Sequence, residues 1–317
     1  MNFRTLLFTI LLATATRGLH AQNDDFSNVW RATIKVVDES GAPVAGADVI
    51  AGYFVAPPPG ESTAKESIKG VTDSAGLFTA SHRDRSSTLG FRAQKEDYYP
   101  TDRDYSLGYP TEYNAVKWSP SLTLVLRRIG QPIPMYAKRI HGGPPTLREP
   151  VGYDLTIGDW IGPYGKGQRG DITFTREFTD KSPYDYESKL TISFPNPGDG
   201  IQEIIRQEPI HEGSFLKSPH EAPTGGYQPQ LLKEEGAHPG QERKEPDNNP
   251  NRIYLIRVQT FFDQNGHVKS ALYGKIYGDF MEFSYYLNPT PNSLNLEFDP
   301  QQNLLKNLKD IDQVKAP

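Results

Sequence analysis

Glycine and proline recur at short intervals along almost the whole chain, 28 and 27 of them in 317 residues, so few stretches run long enough to form a helix of several turns. Between these breakers the apolar residues alternate. Trp30, Ala32, Ile34 and Val36 fall on one side of their segment and Arg31, Thr33 and Lys35 on the other, while Leu122, Leu124 and Leu126 repeat the pattern further on. A period of two is the signature of a strand with one buried face. The length suits two units of about 100 to 200 residues each. The fold class is therefore all-β, an N-terminal antiparallel β-sandwich followed by a second β-rich antiparallel domain with long loops.

In the first unit a strand over Val29 to Val37 leads into turn chemistry at Asp38-Glu-Ser-Gly41 and an apolar run from Val44 to Phe54. Val71 to Phe78 reads as a hairpin, with Asp73 and Gly76 bracketing the bend. Further strands follow at Thr88 to Lys95 and Ser121 to Arg128. Glu96 to Ser119 stands out between them as a tyrosine-rich insertion. The two phrases Gly41-Ala-Pro-Val-Ala-Gly-Ala-Asp-Val49 and Thr72-Asp-Ser-Ala-Gly-Leu-Phe78, in that order, resemble the carboxypeptidase-regulatory-like domains of the transthyretin-like sandwich group. The resemblance covers residues 28–129. It implies a sandwich with an accessory or binding role in exported proteins, and no catalytic residues.

Export is expected on independent grounds. Residues 1–21 carry a short positive start at Arg4, an apolar stretch from Thr5 to Ala15 and an Ala-ending site before Gln22, the pattern of a cleaved signal peptide. That stretch is shorter than the roughly 20 apolar residues of a membrane span, and no later segment approaches that length, so no transmembrane segment is expected after cleavage. With no cysteine, neither disulfides nor a lipid-modified cysteine are available, and stability must come from packing. The leader holds two of the 34 basic residues and none of the 39 acidic ones, which leaves 32 against 39, a net of −7. Basic residues interleave with acids, as in Arg83-Asp84-Arg85, so nucleic acid is not an expected partner. Disulfide-free export points to a bacterial envelope or exterior, with a periplasmic, cell-surface or extracellular destination.

Residues 130–150, with five prolines, read as a connector, and residues 151–317 as a second β-rich domain of no recognised family. Strands are expected near Val151 to Trp160, Asp171 to Phe178 and Lys189 to Phe194. Residues 209–251 read as a long, mobile loop. Arg252 to Phe262, the turn Asp263-Gln-Asn-Gly266 and Val268 to Tyr277 form the clearest hairpin. Gln301 to Leu308 is expected to form a short closing helix.

Chemical motifs are sparse. Gly165-Lys-Gly-Gln-Arg-Gly170 has dinucleotide-loop spacing, but a strand pattern follows where a helix should open. His211, His220 and His238 lack metal-ligand spacing, His211-Glu212 lacks the second histidine of a metalloprotease, and Asp263 to Gly266 lacks the rest of a calcium loop. No metal and no cofactor are expected. No serine elbow occurs and no carboxylate pair is marked, so the chain is expected not to be an enzyme. The excess is aromatic. Tyr98, Tyr99, Tyr105, Tyr109, Tyr113 and Trp118 in the insertion, and Trp160, Tyr164, Tyr184 and Tyr186 beyond it, either pin loops to the sandwich or face a ligand. The expected function is an exported, non-catalytic binding or structural module, with the six insertion residues as contact surface and a polysaccharide or an envelope protein as partner. The alternatives are a carbohydrate-active enzyme with its acid and base in the second domain, and a protein–protein scaffold.

Overall fold

The computed structural model describes residues 29–55, 62, 64–83, 88–108, 118–209, 211–245 and 249–317. The expected leader lies outside these residues. The first half forms β1 (Val29–Asp38), β2 (Asp48–Val55), β3 (Ala64–Val71), β4 (Leu77–Arg83), β5 (Thr88–Gln94), β6 (Tyr98–Tyr99), β7 (Thr101–Ser106) and β8 (Ser121–Arg128). The second half forms β9 (Tyr136–His141), β10 (Val151–Asp154), β11 (Asp159–Trp160), β12 (Ile172–Ser182), β13 (Asp185–Ser193), β14 (Gly200–Ile205), β15 (Gly213–Ser214), β16 (Gln230–Ala237), β17 (Arg252–Phe262), β18 (Val268–Gly278) and β19 (Glu282–Leu287).

The N-terminal sandwich packs a sheet ordered β4-β1-β8-β6 against one ordered β15-β7-β5-β2-β3. Trp30, Ala32, Ile34 and Val36 of β1 meet Val49, Ala51 and Tyr53 of β2, Leu89 and Phe91 of β5 and the β8 leucines in one core. Alternation in the chain thus becomes a buried face, each large side chain contributing about 1.5–3 kcal/mol. Pairing is antiparallel except between β1 and β8, which run parallel.

Two readings of this half need correction. Val71 to Phe78 is not a hairpin: β3 pairs with β2 and β4 with β1, so this bend carries the chain from one sheet to the other. The bend itself is built as its residues suggest. Asp73 Oδ1 accepts from the N–H groups of Ala75 and Leu77, and Thr72 ties Val44 to Ala47 through its hydroxyl. Gly76 takes φ +73°, and a side chain there would collide with the Val36 carbonyl. Secondly, Glu96 to Ser119 is not wholly an insertion, since it supplies β6 and β7 to the two sheets. The second sheet is also completed from far away: Gly213 and Ser214 pair with Asp102 and Thr101 at the outer edge of β7.

The second sandwich opposes β11-β10-β12-β13-β16 to β14-β17-β18-β19-β9. Its core gathers Tyr153, Ile172, Phe174 and Ile192 from one sheet and Tyr254, Ile256, Ile276, Phe283 and Tyr285 from the other. The Tyr285 hydroxyl donates to the Leu155 carbonyl, which satisfies a buried polar end. The expected connector, residues 130–150, contains β9, an edge strand paired with β19. Residues 209–251 likewise hold β15 and β16, the latter paired along β13. No helix closes the chain at Gln301 to Leu308. A 3-10 turn at Pro300–Gln302 is followed by lateral bonds: the Leu304 N–H, a donor a helix would use, goes to Met135 O, and the Asn303 side-chain amide bonds both backbone groups of Ala137. Among the described residues no helix is long and apolar enough to cross a membrane.

Candidate functional site

The aromatic residues lead to the junction between the sandwiches. Tyr98 and Tyr99 pair with Arg128 and Arg127 of β8, and being adjacent in a strand they point opposite ways. Tyr98 joins the first core beneath the Arg128 guanidinium, and Trp118 lies wholly inside the same core. Tyr105 is half-buried against it. Tyr99 is 6% exposed and faces the second domain. The expected contact surface is corrected for Tyr98, Tyr99 and Trp118, whose ring area is spent on packing; Tyr109 and Tyr113 lie outside the described residues.

Tyr99 opens a chain of polar contacts across the junction. Its hydroxyl donates to Glu297 Oε2 at 2.7 Å, and the Gly130 N–H donates to the same oxygen at 2.8 Å. Any side chain at Gly130 would overlap the Glu297 carboxylate. Glu297 Oε1 meets His220 Nδ1 at 2.6 Å, and His220 Nε2 lies 3.3 Å from Glu39 Oε2. Glu39 Oε1 accepts from Arg127 Nε at 2.8 Å, and Arg127 Nη1 donates to the Leu216 and Ser218 carbonyls. Burial alone would push the Glu297 carboxyl up, but its bonds from Tyr99, His220 and Gly130 hold it below the usual range. Glu39 is lowered in the same way, the bonds and charge of Arg127 and His220 outweighing burial.

Next to this chain sits a fully buried lysine. Lys275 projects from β18 between the rings of Tyr286 and Tyr277, with Nζ 4.7 and 5.5 Å from their centroids and 3.2 Å from Ser218 Oγ. Burial pulls its ammonium down to about 7, with the Glu297 charge opposing and Arg127 assisting the shift. A cleft of about 430 Å³ borders the junction, lined by Arg127, Arg206, Lys217, Glu39 and Glu208. Its cations are engaged: Arg206 donates to the carbonyls of Pro209 and Glu212, and Lys217 to that of Glu212. The junction can therefore fix orientation strongly.

The remaining motifs resolve into turns. In the loop 165–170 the N–H groups of Gln168 and Arg169 donate to Asp154 Oδ2, and that of Lys166 to Asp159 Oδ2. Carboxylates of the chain thus occupy the place a phosphate would need. Asp263 is spent on the N–H groups of Asn265 and His267 in its own hairpin turn. His238 pairs with Asp185 and His211 approaches Glu212, and among the described residues no three potential ligands converge on a metal position.

No family profile matches the chain, and no curated protein sequence does. Solved structures give faint likenesses only. A 3-chlorocatechol 1,2-dioxygenase from Rhodococcus opacus 1CP is 14% identical over 34% of this chain, which spans 63% of that protein, at a TM-score of 0.26. The C-terminal domain of the shaft pilin SpaA from Lactobacillus rhamnosus GG is 10% identical over 32% of this chain and 98% of its own length, at 0.22. A streptococcal ancillary pilin is 9% identical over 83% and 60% of the two chains, at 0.21. Superpositions this poor assign no function.

Sequence reasoning singled out Tyr99 and His220 on other grounds but did not bring them together with Glu39, Arg127 and Glu297, because the five are far apart in the chain. Lys275 left a usable signal. It shares a strand face with Tyr273 and Tyr277, while Leu272, Gly274 and Ile276 occupy the other, so both faces of β18 are apolar around one lysine.

Proposed function

We propose that the chain is an exported, non-catalytic structural module in which two β-sandwiches act as a single rigid body. The observation that carries this reading is the junction. A strand from the second half completes a sheet of the first, and an unbroken series of polar contacts from Tyr99 to Arg127 spans the two. Flexibly tethered domains meet through small, wet contacts and move by default, whereas a shared strand and a buried carboxylate bonded from both halves would lose their partners on separation. The resemblance of residues 28–129 to carboxypeptidase-regulatory-like domains and the leader-like residues 1–21 support an accessory role outside the cytoplasm.

The test has two arms. Cell fractionation with mass spectrometry of the amino terminus should recover the chain outside the cytoplasm beginning near Gln22; intact protein confined to the cytoplasm would sink the export reading. Small-angle scattering should fit one fixed arrangement of the sandwiches, while a spread of inter-domain angles would defeat the rigid-body reading.

A further inference from the structure

The solvent face of the first domain's β7-β5-β2-β3 sheet carries a groove that the junction does not use. Register places Ser67, Gly52, Gly90 and Asp104 in one row across four strands, Gly52 opposite both Ser67 and Gly90, and Gly90 opposite Asp104. The next row holds Lys69, Ile50, Arg92 and Asp102. With strands about 4.8 Å apart, a four-strand row runs roughly 14 Å. Two opposed glycines leave its middle without side chains, and the hollow measures about 550 Å³, within the size of small-ligand sites.

The chain itself does not need these glycines. Neither has a positive φ, and a Cβ on Gly52 would meet nothing nearer than the Gly90 carbonyl at 3.5 Å. On Gly90 it would meet only the Asp104 carboxylate, at 3.3 Å. Gly70 of the adjacent strand is different, since the Phe78 ring fills its place. Glycine within a strand weakens it by roughly 0.5–1 kcal/mol relative to alanine and marks places where another molecule approaches the backbone.

The chemistry of the groove narrows the ligand. Peptide groups in its floor are committed to the sheet's own ladders, so an extended peptide could add no backbone bonds on this face. A flat ring presenting C–H groups needs none. At the β3 end stand Lys65, whose stem leans over Gly52, and Lys69; among the described residues neither has an ion-pair partner. At the β7 end the Asp104 carboxylate overhangs Gly90, while Arg92 and Asp102 satisfy each other through two bonds of 2.6 Å. The β3 end thus carries two lysines against one carboxylate, Glu66, which accepts from the Tyr53 hydroxyl, and the other end accepts hydrogen bonds from hydroxyls.

We infer that this groove binds a short stretch of uronic-acid-bearing glycan, a sugar ring lying flat on the Gly52–Gly90 floor with its carboxylate toward Lys65 and Lys69 and its hydroxyls donating to Asp104. The site adds a ligand to the structural module and does not depend on the rigidity of the junction.

Calorimetric titration of the full chain at low ionic strength with oligogalacturonate and oligomannuronate, and with the methyl ester of each, tests the inference. Saturable binding of at least one acid is expected, about tenfold or more tighter than its ester. Gly52→Val should abolish it by filling the floor, with the melting temperature unchanged or raised because a β-branched residue suits a strand. Lys65→Gln/Lys69→Gln, exposed positions that leave the core untouched, should bring acid and ester to equal, weak affinity. Absence of binding to both acids, equal wild-type affinity for acid and ester, acid binding that survives Gly52→Val, or a preference for acid over ester that survives the lysine variant would overturn it.

Discussion

Replacing Lys275 by methionine should stabilise the protein near neutral pH. The ammonium has no solvent exposure, one hydroxyl partner and two aromatic rings, and burial lowers it from 10.5 to about 7. At about 1.4 kcal/mol per pKa unit, that shift puts the cost of holding the charge at no more than about 5 kcal/mol. The unfolded chain keeps the proton up to the ordinary lysine range, while the folded chain releases it near 7. Stability from this group is therefore lowest below pH 7, climbs as pH rises from 7 toward 10.5 and is fully present above that. Methionine keeps the length and the aromatic contacts without the charge. Ser218 Oγ is not orphaned by the change, since it also donates to the Pro219 carbonyl. Lys275→Met should gain about 2–4 kcal/mol at pH 6.5, with the gap shrinking by pH 10, as buried charges replaced by apolar groups often do. Urea unfolding of both proteins at pH 6.5, 8 and 10, with the denaturant slope checked for constancy, measures this. A variant less stable at pH 6.5, or a gap that ignores pH, would show that contacts with the rings and Ser218 outweigh burial.

Other perturbations have definite expected outcomes. Burial pushes Asp171 up to about 6 despite bonds from the Leu155 N–H and Gln259, so it should cost stability as pH rises from 4 to 6; Asp171→Asn should remove up to about 3 kcal/mol of that slope in melting curves across this range. An unaltered slope would mean the carboxyl is not the titrating group. Gly76→Ala, at φ +73° with the Val36 carbonyl 2.5 Å from the new Cβ, should destabilise by more than about 1 kcal/mol in chemical unfolding. Tyr99→Phe removes one of three donors to Glu297 and should cost about 1.5–3 kcal/mol with the fold retained; a smaller loss would mean that solvent takes over the bond.

Much of the fold was legible because each strand of a sandwich declares its buried face locally. The alternation at Trp30 to Val36 and the hairpin from Arg252 to Tyr277 both form as their sequences suggest. Pairing across distance was not legible. Val71 to Phe78 has good turn chemistry, which fits a bend between sheets as well as one within a hairpin. Prolines at 132, 134, 144, 145 and 150 flank the proline-free β9 and concealed it. Tyr98, Tyr99 and Trp118 were visible as an aromatic excess, but composition does not tell inward from outward. The Gly52–Gly90 row depends on register between two strands, which neither segment specifies alone.

The strand β15 also sets a timetable. A chain emerging amino terminus first presents eight of the nine strands of the first sandwich by Arg128, yet the outer edge of β7 stays bare until Gly213 and Ser214 have followed. During that interval the row of unpaired backbone groups invites any passing strand, including that of a neighbouring copy. A fragment cut at residue 129 would hold the same exposure permanently. Premature self-association of the amino-terminal half, and its suppression once the downstream segment arrives, is thus written into the order in which the polypeptide appears.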